Sequence, residues 1–197
     1  MADHKIYNGV LDIFRRYWNI YGGWRALIAS PYVHLSILLC AVSVGFWWNN
    51  DWWNQSISVL PNLLGFTLGG FAVFLGFGDE KFKALIAGKP DGESERHSPY
   101  LGFSVTYLHF VLVQIVALLW AVLANATHFP TPECLMPIKG FLQIADKVSS
   151  GIGYWLFLYS ICAAVAAAIG IFRVASMFDK YQTHMNKNAA KDSQAEQ

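Results

Sequence analysis

The chain has 197 residues, 55% hydrophobic and 14% charged, against roughly 45–50% and 25% in an ordinary soluble domain. Such a composition excludes a disordered chain, and a net charge of +1 with no dense basic patch gives no case for nucleic-acid binding. The apolar residues fall in long runs between short polar stretches, the pattern of an all-α, polytopic membrane protein.

Residues 1–29 are predicted to form an amphipathic segment on the inner leaflet. Ile6, Val10, Ile13, Tyr17, Ile20, Trp24 and Ile28 recur every three or four residues, which aligns them on one helical face. Arg15 and Arg16 suit lipid phosphates, and Trp18 and Trp24 suit the headgroup zone. Gly22 and Gly23 are expected to break the helix, and Ser30 followed by Pro31 reads as the N-cap and first turn of the next one.

A four-helix transmembrane domain is expected over 30–178, with spans at about 31–48, 56–78, 101–125 and 153–172. Each is long enough to cross a hydrocarbon core of roughly 30 Å. Trp47, Trp48, Trp52 and Trp53, around the first loop, are expected at the membrane–water interface.

In the second span Ser58, Asn62, Gly65, Gly69, Ala72 and Gly76 recur at helical spacing, while Phe66, Phe71 and Phe74 point elsewhere. Gly65 and Gly69 form a GxxxG pair. Helices in lipid associate by close approach at such positions, so the stripe reads as a packing seam within one subunit, a contact between copies, or a pore lining. Ser160, Ala164 and Ala168 form a second small-residue stripe, placed so that the two could meet.

The middle loop, 79–100, mixes charges with Pro90, Gly92 and Pro99 and reads as a solvated connector. In the third span His109 is the deep ionisable residue, with Thr106 one turn before it and Gln114 beyond. A histidine hydrogen-bonded to a neighbouring helix is expected there, with proton relay as the rival role. Beyond the third span, Ile138 to Val148 shows helical apolar spacing and is expected to rest as a short separate helix on the outer face. The tail, 179–197, is expected to fray.

Twelve of the fourteen lysines and arginines lie before the first span, between the second and third, or after the fourth. The positive-inside rule then places both termini and the middle loop in the cytoplasm. No CxxC, HExxH, GxSxG, Walker or EF-hand pattern occurs, so the expectation is a protein that is not an enzyme and carries no cofactor and no metal.

In size and four-span plan, with both ends inside, the chain resembles the membrane subunits of bacterial anti-phage systems, such as that of Kiwa. The resemblance implies a bacterial inner-membrane sensor of envelope perturbation. Such a protein would sit in the lipid bilayer as a homo-oligomer and dock a cytoplasmic protein partner through 79–100 and the tail. The rival expectation is an oligomeric ion channel lined by the second span.

Overall fold

The computed structural model describes residues 2–76, 78, 80–87, 97–128 and 137–195. Among them the chain is all-helical, with no strand: α1 (Ala2–Tyr21), α2 (Gly23–Ile28), α3 (Pro31–Val42), α4 (Val44–Asn49), α5 (Trp52–Gly76), α6 (Glu80–Ile86), α7 (Pro99–Thr127) and α8 (Lys139–Ala195). Three of these, α5, α7 and α8, are long and apolar enough to cross a membrane. With α3 they form the bundle, α8 touching each of the other three.

Gly22 and Gly23 separate α1 from α2 by turning the backbone to φ 99° and 62°, values a side chain strongly disfavours. The first apolar run is not one helix as expected for 31–48. It breaks at Ser43 into pieces of 12 and 6 residues. Beside the break the Trp47 indole N–H donates to the Cys40 carbonyl at 2.9 Å, occupying the acceptor that the Val44 amide uses in an unbroken helix.

The small-residue stripe of the second span lies on the opposite face from a seam inside the subunit. Ser58, Asn62, Gly65, Gly69, Ala72 and Gly76 are all exposed, and a Cβ added at any of the three glycines meets nothing among the described residues. The buried residues of α5 are Trp52, Trp53, Ser56, Leu60, Thr67 and Phe74. From Ser56 to Phe74 the two sets run in parallel, two residues out of phase, and two residues turn a helix by about 200°. Phe74, expected to face away, packs among Tyr100, Phe103 and Tyr107. Nor do the two small-residue stripes meet: α5 approaches α8 at Gly70, where an added Cβ would lie 3.1 Å from Ile171.

Trp52 and Trp53 turn inward and pack in the core of the bundle. Trp52 is 0% exposed and heads a cluster with Trp53, Leu60, Ala117, Ala121, Tyr154 and Phe157. It fits because residue 153 is glycine: a Cβ there would overlap the rings of Trp52 and Trp120. Close approach of this kind substitutes for the hydrophobic drive that lipid does not supply.

Two expectations near the chain end are also corrected. The segment 138–148 is not a separate helix, because from Lys139 it runs without interruption into the fourth apolar stretch as the single 57-residue α8. Most of 179–197 is helical rather than frayed, to Ala195. The middle loop is partly folded: α6 buries Phe82 against Phe178 and Tyr181 of α8. Residues 88–96 of that loop, with Pro90 and Gly92, lie outside the described residues.

Replacing Gly153 with alanine forces the two tryptophan rings apart and is expected to cost roughly 1–3 kcal/mol of stability, whereas Gly69→Leu leaves the fold of one chain intact. Thermal unfolding in detergent, followed by tryptophan fluorescence, checks the pair; equal destabilisation by both contradicts the assignment of faces.

Candidate functional site

Helix α7 starts cleanly, with the Ser98 hydroxyl accepting from the Leu101 amide at 3.2 Å and Pro99 in the first turn. Three turns into it His109 points inward and is 4% exposed. Both ring nitrogens are hydrogen-bonded to tyrosines of other helices: Nδ1 with the Tyr17 hydroxyl of α1 at 2.6 Å, and Nε2 with the Tyr159 hydroxyl of α8 at 2.9 Å. The Tyr21 ring stacks on the imidazole with centroids 4.0 Å apart. A histidine so placed joins three helices that are distant in sequence.

A neutral imidazole carries one N–H and one lone pair, so one tyrosine accepts while the other donates. Tyr17 is 8% exposed. Burial pushes its phenol up to about 12, helped by the neighbouring Tyr21, so it stays protonated and uncharged across the physiological range.

The other polar residues named from sequence go elsewhere. Thr106 does not join His109; its hydroxyl donates to the Gly102 carbonyl of its own helix at 2.9 Å. Gln114 is 0% exposed, and its amide donates to the Thr67 hydroxyl at 2.9 Å, tying α7 to α5. Arg15 and Arg16 are both exposed, with Arg15 3.6 Å from Asp12. Trp18 and Trp24 pack edge to face at 5.1 Å, Trp24 remaining 67% exposed. Trp48 is exposed beneath the Lys147 ammonium, 5.6 Å from its ring centroid.

Sequence reasoning picked out His109 but not its tyrosine partners, nor Tyr107, whose hydroxyl donates to the Ala167 carbonyl at 2.8 Å. The available signal was weak. Tyr17 carried a polar tip on an otherwise apolar face of α1, and Tyr159 and Tyr107 lay inside apolar runs where a phenol needs a partner.

Among the described residues no group of three or more histidines, cysteines or carboxylates is placed to hold a metal ion. What the fold and this network define is an all-helical protein with three membrane-capable helices and an N-terminal helix pinned to their core by a buried histidine. Comparison with protein-family models, with curated proteins and with solved structures finds no match.

Replacing Tyr17 with phenylalanine removes one hydrogen bond and is expected to weaken α1 docking by roughly 0.5–1.5 kcal/mol. Hydrogen exchange reads this as faster exchange of the Tyr17–Tyr21 amides with α7 unchanged. The raised Tyr17 pKa also sets an alkaline window: its contribution is complete below the ordinary tyrosine value of 10 and is lost as pH rises towards about 12. The phenylalanine variant is therefore expected to show a smaller loss of α1 protection between those two values.

Proposed function

We propose that the protein is a non-enzymatic sensor and anchor in a bacterial inner membrane, reading envelope perturbation through α1 and passing it to a cytoplasmic partner, in the setting of anti-phage defence. The observation that carries this reading is the Tyr17–His109 hydrogen bond, because it fastens to the core a helix several of whose other apolar side chains are uncovered. Val10, Ile13 and Phe14 of α1 are exposed, as are Trp24 and Ile28 of α2. Lipid is the natural cover for such a face, and a helix held by lipid on one side and by a histidine on the other responds when headgroup packing changes.

The orientation, with four crossings and both termini in the cytoplasm, is supported by the twelve-to-two division of basic residues. In this reading the broken α3–α4 pair makes the first crossing, α6 with the rest of the middle loop meets the partner, and the projecting end of α8 meets it too. Self-association is supported by the outward stripe on α5, where Ser58 and Asn62 bond only to their own helix and Gly65 and Gly69 leave room for a second backbone. The same stripe favours a second reading, in which copies assemble around it and α5 lines an ion pathway.

Two measurements test these readings. In a variant with the native cysteines replaced by serine, a thiol at Asn50 is expected to react with an impermeant reagent added outside, and a thiol at Lys187 is not; the reverse pattern overturns the orientation. In lipid nanodiscs, adding lysophospholipid is expected to speed α1 exchange severalfold while α7 and α8 hold. Unchanged α1 exchange defeats the sensor reading, and channel-sized conductance of the purified protein in planar bilayers replaces it with the pore.

A further inference from the structure

At the end of the bundle where α7 begins, a half-open cavity of about 530 Å³ lies between α1, the start of α3, α7 and α8. Its volume falls within the few hundred to roughly a thousand Å³ usual for small-molecule sites. The apolar part of its wall includes Ile20, Phe103 and Phe110, and Tyr21, Tyr32 and Arg173 add polar groups. Among the described residues no carboxylate lines it.

Arg173 gives the cavity its charge and its depth. The 25 residues from Val148 to Phe172 carry no charge, and Arg173 is the first cation after them, at the boundary of the apolar layer. Among the described residues Arg15–Asp12 is the one ion pair, so the Arg173 guanidinium has no carboxylate partner. The Tyr32 hydroxyl likewise has no hydrogen-bond partner among the described residues. Two other polar side chains in the wall are already engaged, Thr106 to Gly102 and Tyr107 to Ala167.

We infer that this cavity holds an anionic phospholipid, its phosphate on Arg173 and Tyr32 and an acyl chain along the apolar wall. A guanidinium forms strong paired hydrogen bonds to phosphate oxygens, and the boundary position brings it level with headgroups while the aromatic wall lies towards the hydrocarbon. The chemistry shared with a soluble phosphate ester is the phosphate contact alone; the apolar wall selects the lipid. This inference rests on the membrane-capable helices and not on the sensor reading.

Native mass spectrometry of the full chain released from detergent tests it, with phosphatidylglycerol, phosphatidylcholine and glycerol phosphate as probes. Retention of one phosphatidylglycerol per chain is expected, about tenfold above phosphatidylcholine, with glycerol phosphate not retained. Arg173→Gln is expected to abolish the preference, and Arg173→Lys to keep part of it. Gly170→Leu provides an independent arm. Gly170 lines the cavity, and a Cβ there meets only Tyr107, at an ordinary 3.9 Å, so the backbone accepts a side chain at this position and leucine is expected to occupy the cavity. Loss of retention in that variant, with its thermal unfolding unchanged, supports the site. Equal retention of the two lipids, or a phosphatidylglycerol preference that survives both Arg173→Gln and Gly170→Leu, overturns it in favour of unspecific annular lipid. Glycerol phosphate held as tightly as the lipid overturns it in favour of a soluble ester.

Discussion

Helices surrounded by hydrocarbon gain nothing from hiding leucine from leucine, so every contact in this bundle depends on close approach or on a polar pair. Helix α8 supplies both along its length. Gly153 admits Trp52 and Trp120, and Ala163 and Ala167 sit against Tyr107 and Phe110. Trp155 donates to the Ser36 hydroxyl of α3 at 3.0 Å, Tyr159 meets His109, and the Ala167 carbonyl accepts from Tyr107. Between α5 and α7 the Gln114–Thr67 bond does the same work. These ties stand at successive depths, each joining two helices that otherwise present plain apolar surfaces to each other.

The network around His109 differs from the rest in what it holds. The other ties join long apolar helices to one another, whereas Tyr17 belongs to a helix with charged residues at Asp12, Arg15 and Arg16 and with most of its side chains exposed. Docking of α1 therefore rests on a few aromatic and polar contacts. That makes it the element most easily released, since local opening follows the number of buried contacts that must be given up.

Element types were legible in the sequence, as were the approximate extents of α5 and α7, because apolar runs and glycine or proline breaks report them directly; the break at Ser43 and the length of α8 were not. Faces were not. Along α5 the buried set and the small-residue stripe share the same three- and four-residue spacing, so periodicity gives the pitch of the helix and leaves its rotation undetermined; lipid-facing and core-facing positions are both apolar, and polarity does not choose between them. The packing of Trp52 and Trp53 was not legible for a related reason, since an aromatic near a predicted loop can turn outward or inward until Gly153, a hundred residues away, is known to face it. His109 was found because an ionisable residue in an apolar run stands out. Its partners were not, being 92 and 50 residues distant in sequence. The continuity of α8 was hidden because the polar residues and glycines up to Gly153 separate two apolar stretches; Gly151 and Gly153 are nonetheless helical, with Trp47 and Trp52 packed against them.

The unbroken course of α8 has a mechanical consequence. Fifty-seven residues make a rod of roughly 85 Å, against a hydrocarbon layer of about 30 Å, so more than half of its length lies outside the layer. The stretch from Arg173 to Ala195 alone projects about 35 Å. A pivot near the middle of the apolar stretch lies some 50 Å from that tip, and a tilt of about 10° moves the tip by roughly 9 Å. The same tilt moves the helix by roughly 3 Å at the edge of the layer, so the free length of the rod multiplies the displacement about threefold, to a shift as wide as a helix.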